Sequence, residues 1–340
     1  MKRKFYDALQ LDPSILKRRI AACETKKEKT FYRAAMAVRS ALIVAFAILF
    51  ISLLSGLFGT DNTPMAVALF CMLLGIRFVN FEYCAGDSLA GLAAALAILT
   101  LAPCAAAQAE PALVAPLHFA AFFALLFLTS QRPEMGNGGI YSFAYIYLTG
   151  NPVAGEALAR RELMALTGWL VCGAILLAKH RGRHADTRFH HLVRRFRLSR
   201  LECLWQLRMA LGVSLVLAAG QVFGVERFMW MGFACGSLLS EYPLPGSAAF
   251  ALLYLALPAG LRPLLGPLGG FCMGFSTDYR YKTAMNCFGA LMIGAGLYGL
   301  SGAVALRLAD TVLGAAFGLC FAALFHRLSC RLLPAADPAL

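Results

Sequence analysis

Two stretches constrain the chain more than any other, "AMAVRSALIVAFAILFISLLSGLFG" at residues 35–59 and "LADTVLGAAFGLCFAALF" at residues 308–325. Each is apolar without alternation and is interrupted by a single charge, Arg39 in the first and Asp310 in the second. A helix needs about 20 apolar residues to cross the hydrocarbon core of a bilayer. Unalternating runs of this length select helices over barrel strands, because backbone polar groups in lipid must be satisfied internally. The rest of the chain agrees: 60% of its residues are apolar and only 14% charged, whereas soluble domains average about 45–50% and about 25%.

The pattern therefore predicts an all-α, polytopic membrane protein. The first half divides into spans at 34–58, 64–80, 88–107, 112–130, 139–151 and 162–178. The second divides at 205–223, 228–241, 247–262, 264–277, 284–300 and 303–325, which makes about twelve transmembrane helices. The expected organisation is a basic cytoplasmic segment (1–33), a first six-helix unit (34–178), a basic cytoplasmic linker (179–204), a second six-helix unit (205–326) and a cytoplasmic tail (327–340).

Charge placement sets the orientation. The first 33 residues carry ten lysines and arginines and run straight into the first span, which reads as an uncleaved anchor and not as a cleavable signal peptide. Residues 178–200 hold one lysine, seven arginines and four histidines against the single acid Asp186. With an even number of spans in each half, both segments and the tail face the cytoplasm, as the positive-inside rule requires of an inner-membrane protein. The linker then reads as a basic amphipathic helix on the headgroups. The net charge of +13 is explained by these flanks, so no nucleic-acid partner is expected. A metal site at His184, His190 and His191 is an alternative that no nearby acid or cysteine cluster supports, and no metal is expected.

The halves resemble each other. In the sixth spans, Arg161, Gly168, His180 and Arg181 match Arg307, Gly314, His326 and Arg327 at identical spacing. In the first spans, "RSAL" at Arg39 matches "RMAL" at Arg208, and each helix ends in Phe-Gly. Two units that both begin and end inside are parallel repeats related by an axis along the membrane normal. Arg161, Gly168, Arg307 and Gly314 are accordingly expected to pair helices.

Ionisable groups inside spans are costly and are functional candidates by default. Arg39 and Arg208 lie near the cytoplasmic mouth and could fork to a carboxylate, while Arg77, Glu82 and Asp87 bracket the turn after the second span. Asp310 and His118 are candidates for proton coupling, since an imidazole titrates near neutrality. Tyr141 and Tyr145, beside the glycine-rich residues 133–152, could face an aromatic cargo, as could Trp230. The chain has no phosphate loop, no H-E-x-x-H and no G-x-S-x-G elbow, so neither a cofactor nor an enzymatic activity is expected.

"RMALGVSLVLAAGQVFGVERFMWMGFACGSLLSEYPLPGS", with its arginine-initiated helix, Trp230 opening the next span and Pro243 with Gly246 and Ser247 closing it, resembles the fusaric acid resistance (FUSC) and aromatic acid exporter superfamily. Relatives of that superfamily include the plant aluminium-activated malate transporters. The sixth-span form Arg307, Asp310, Thr311 and Gly314 resembles it as well. The first half departs, carrying Met65 in place of the tryptophan. The resemblance implies export of aromatic or other amphipathic organic anions; the expected partners are the lipid bilayer, that anion and a second copy in a homodimer. A major-facilitator-like carrier and a non-transporting scaffold or assembly protein are the alternatives.

Overall fold

The computed structural model describes residues 2–132, 136–197, 201–240, 256–276 and 279–332. Among them the chain is all-helical, in the order α1 (Lys2–Leu9), α2 (Pro13–Ala22), α3 (Lys26–Phe58), α4 (Thr63–Ile76), α5 (Ala85–Ala107), α6 (Pro111–Thr129), α7 (Asn137–Thr149), α8 (Gly155–His180), α9 (Phe189–Arg195), α10 (Leu201–Val222), α11 (Met229–Leu239), α12 (Arg262–Met273) and α13 (Tyr279–Leu332). Among the described residues six helices are long and apolar enough to cross a membrane: α3, α5, α6, α8, α10 and residues Gly294–Arg331 of α13. At four other expected spans the helices are shorter, with 14 residues in α4, 13 in α7, 11 in α11 and 12 in α12. The span expected at 247–262 lies largely outside the described residues, as do Pro243, Gly246 and Ser247. The spans expected at 284–300 and 303–325 fall within α13, whose helical path is broken at Gly299, with φ 71° and ψ 170°. That backbone conformation suits a residue without a Cβ.

The chain packs as two units, residues 50–242 with 310–340, and residues 1–49 with 243–309. In the larger unit, α5 packs on α6, α7 and α8, α6 packs on α10, and α10 on α11. The short α7 is surrounded by α4, α5, α6 and α11. Small residues make these approaches possible, as is usual where lipid removes the hydrophobic drive between helices. Gly91 of α5 accepts the ring of Tyr83, and Gly173 of α8 accepts Leu89. Gly232 of α11 lies against Ile146 of α7, and Gly168 of α8 against Leu69 of α4. The outer face is apolar: Leu163, Leu166 and Leu170 of α8 and Val312, Leu313 and Leu319 of α13 are all more than half exposed. Large aliphatic residues outside, with polar ones inside, match a surface solvated by lipid.

The smaller unit has two cores. Leu16, Ala35 and Met36 pack with Phe5, Phe31, Tyr32 and Phe275. Leu265 packs with Cys287, Phe288, Leu291, Ala303 and Val304. Asp12 caps α2 by accepting from the Ser14 amide at 2.8 Å, the usual use of an aspartate before a helix whose first residue is proline.

Candidate functional site

Within the larger unit three clusters of buried polar side chains lie along α7, from its Thr149 end to its Asn137 end. At the first lies Arg161, whose guanidinium is fully buried. Its Nε donates to Asn62 Oδ1 at 2.9 Å, and one terminal nitrogen donates to the carbonyls of Asn151 and Asp61 at 3.0 and 3.3 Å. Asn62 in turn donates to the carbonyls of Phe58 and Ala157, both at 3.0 Å. The residue predicted to pair helices thus clamps the turn between α3 and α4 to the turn before α8. No carboxylate forms an ion pair with it among the described residues.

The middle cluster joins three helices. His118 of α6 is wholly buried, with Nδ1 at 2.9 Å from the Tyr145 hydroxyl of α7 and Nε2 at 3.3 Å from Gln221 Oε1 of α10. The Gln221 amide nitrogen donates to the Ala106 carbonyl at the end of α5, which leaves its oxygen to face the histidine. The arrangement calls for a neutral imidazole carrying its proton on Nε2, with the tyrosine hydroxyl donating to Nδ1. Sequence reasoning gave His118 and Tyr145 different roles; the fold brings them together. Tyr145 also packs edge-on against Phe122 at 5.5 Å, and the buried Tyr141 against Phe81 at 5.8 Å.

The third cluster sits where the basic connector meets the bundle. Asn137 donates to the carbonyls of Asn80 and Thr129 at 3.0 and 2.9 Å, and Gln206 to that of Ser130 at 3.0 Å. Glu82 meets Arg132 at 3.3 Å and His184 at 3.7 Å. Glu82 and His184 have φ of 65° and 51°, a left-handed conformation uncommon outside glycine. The connector is tied down by the Cys84 amide donating to the Thr187 carbonyl at 2.8 Å and by Asp87, which accepts from the Phe189 amide at 2.9 Å and from Arg188 at 3.3 Å. The Tyr83 hydroxyl donates to the Leu128 carbonyl at 2.8 Å. Burial, followed by the nearby Asp87 and Cys84, pushes its phenol well above the usual range. These residues surround a cleft of about 360 Å³ lined by Glu82, Phe127, Arg132, His184, Phe196 and Gln206 among others.

The other expected site residues are dispersed. Arg208 of α10 donates to the Leu239 carbonyl at 2.8 Å, capping the C-terminus of α11, a favourable place for a cation. Trp230 is buried in α11, Asp310 is buried in α13, and Arg77 is exposed with its guanidinium 5.5 Å from the Phe78 ring. In the smaller unit, Arg39 lies within Coulomb range of Asp12, and Arg307 within hydrogen-bonding reach of Cys287. Gly314 lies against the Met231 backbone of α11, where an added Cβ would stand 2.2 Å from the carbonyl oxygen. Among the described residues no group of three histidines, cysteines or acids could hold a metal ion. Sequence reasoning missed Asn62, Asn137, Gln206 and Gln221. For Gln206 and Gln221 the sequence shows only that some partner is needed, since an amide inside an apolar span costs free energy unless another segment satisfies it; Asn62 and Asn137 lie outside the expected spans.

Fold and site together describe an all-helical chain whose apolar exterior and polar interior fit an α-helical membrane protein. No protein-family model matches the chain, and no curated protein or solved structure matches it either.

Proposed function

We propose that the chain is a multi-pass inner-membrane transporter of the FUSC type, exporting aromatic or other amphipathic organic anions between two parallel six-helix repeats with both termini in the cytoplasm. The observation that carries the reading is the polar junction of His118, Tyr145 and Gln221. It joins α6 and α7 of the first half to α10 of the second, and polar side chains shared between apolar helices mark pathways and relays. The duplication draws support from two matching contacts. Gly168 of one sixth span packs on the second-span helix α4, and Gly314 of the other packs on the second-span helix α11. The short α4, α7 and α11, packed among long helices, are the kind of interrupted segment from which transport sites are built.

The test is flux. Purified protein in liposomes is loaded with a panel of aromatic carboxylic acids, and efflux is compared with that of Gln221→Leu and of Arg39→Ala/Arg208→Ala. Efflux above protein-free liposomes that falls in Gln221→Leu supports the reading. Absence of efflux with every acid, in folded protein, removes it. One observation favours a scaffold instead: Tyr141 and Tyr145 are spent on packing against Phe81 and Phe122 and leave no aromatic wall for a cargo. That reading gains if neither flux nor ligand-dependent stabilisation is found.

A further inference from the structure

The connector between α8 and α10 is more than a solvated charge run. Its helix α9 is flanked by two aromatic anchors that reach down the side of α6. Phe189 packs edge-on against Tyr83 at 5.4 Å and Phe127 at 5.7 Å, and Phe196 against Phe123 at 5.7 Å and Phe127 at 5.6 Å. Thr129 is the last residue of α6. At 1.5 Å per residue Phe127 lies about 3 Å, and Phe123 about 9 Å, below that end. A helix seated in the headgroup and acyl boundary buries its apolar face about 5–10 Å deep. Outward from these anchors Arg181, Arg183, Arg188, Arg194, Arg195 and Arg197 are all exposed. Val193, next to Arg194 in the chain, is 51% exposed, so the helix offers a hydrocarbon contact as well as guanidinium groups.

The geometry points to this surface as a binding site for an anionic phospholipid headgroup of the cytoplasmic leaflet, seated in the open hollow of about 450 Å³ lined by Asp186, Thr187, His191, Arg194 and Arg195. Guanidinium forks match phosphate oxygens in pairs. The His191 Nδ1 accepts from the Arg188 amide at 3.2 Å, which leaves Nε2–H to donate to a phosphate. Partial desolvation, and after it the charges of His190, Arg195, Arg194 and Arg188, hold this imidazole below its ordinary range. A bound phosphate supplies the missing opposite charge. The single acid lining the hollow, Asp186, is outnumbered by its two arginines. The site does not rest on the transport reading, since a scaffold would present it equally.

The experiment uses the full chain in nanodiscs of phosphatidylcholine, with and without phosphatidylglycerol, and compares wild type with Arg194→Gln/Arg195→Gln. Both positions are exposed, and the tryptophan melting curve serves as the check that the variant is folded. Each arginine near an anionic surface contributes about fivefold in affinity, so the pair predicts a loss of about 25-fold in apparent phosphatidylglycerol affinity. Amide exchange over residues 188–197 should slow in phosphatidylglycerol discs for wild type alone, and the His191 titration should move upward there. Equal exchange in both lipids overturns the proposal, as does a phosphatidylglycerol effect that survives in the folded variant. Equal protection in phosphatidylcholine discs by dissolved glycerol phosphate, or by a duplex oligonucleotide, overturns it too, by assigning the surface to a free phosphate or to nucleic acid.

Discussion

Replacing Arg161 with methionine keeps the volume of the aliphatic stem and removes every donor. Two opposing effects then decide the outcome. Asn62 is fully buried, so its Oδ1 loses its guanidinium partner with no water to replace it, and the half-buried Asn151 carbonyl loses most of its satisfaction. Asp61 is exposed and its carbonyl turns to solvent. A buried group left unsatisfied costs about 1–3 kcal/mol, which puts the loss from two acceptors at about 3 kcal/mol. Against this, a buried cation offset only through space by the exposed Asp61 carboxylate carries a desolvation penalty that a hydrophobic residue relieves. The hydrogen bonds should win here, because the arginine locks two interhelical turns together and its removal frees both. The expected order of stability is wild type, then Arg161→Lys, which keeps charge without the planar fork, then Arg161→Met. A loss of about 3 kcal/mol corresponds to a melting shift of about 6–12 °C in a unit of this size. Trp169, Trp205 and Trp230, the chain's three tryptophans, all lie in the larger unit, so intrinsic fluorescence of the detergent-solubilised protein reports on the right part. A methionine variant melting at or above wild type would refute the reasoning.

Three further outcomes follow from the same structure. Gly314→Ala should destabilise by about 1–3 kcal/mol, because its Cβ would meet the Met231 backbone at 2.2 Å, whereas Gly289→Ala, with nothing within 4 Å, should gain up to about 1 kcal/mol; the fraction surviving a heat step on size-exclusion chromatography ranks them. Tyr145→Phe strips the hydroxyl from His118 Nδ1 and should cost about 1–3 kcal/mol by the same thermal assay; an unchanged melting point would show the contact to be idle. At Asp12, burial raises the carboxyl, but the Ser14 hydrogen bonds and the charges of Arg39 and Lys282 together outweigh it and hold the pKa below its ordinary 3.8. A depressed acid contributes stability above its unfolded pKa and loses it as pH falls through the folded value. Asp12→Asn, which can still cap α2, should therefore melt below wild type at neutral pH, with the gap closing as pH drops below about 4.

What the sequence made legible, and what it did not, divides by the range of the interaction. The long apolar runs of α3 and α13 and the basic flanks are local patterns, and they were enough for an all-helical, lipid-facing chain. Small residues inside spans were legible too. Gly168 and Gly314 stood out at matching positions, and both mark close helix approaches. The amides were not, because Gln221 faces a histidine 103 positions away and Gln206 a carbonyl 76 positions away, and no window along the chain contains both members of such a pair. The same distance explains the tyrosines of α7. Read locally, Tyr141 and Tyr145 are a stripe that could face a cargo. Phe81, Phe122 and His118 arrive from α4–α5 and α6 to fill the space around them. A buried histidine satisfied on both nitrogens by neutral partners is rigid in its tautomer. If His118 carries protons, Tyr145 and Gln221 must turn to release it, so proton coupling at this junction requires α6 and α10 to separate. A disulfide placed between α6 and α10, which pack on each other, with His118 and Gln221 left intact, should then stop any coupled flux, and its reduction should restore it.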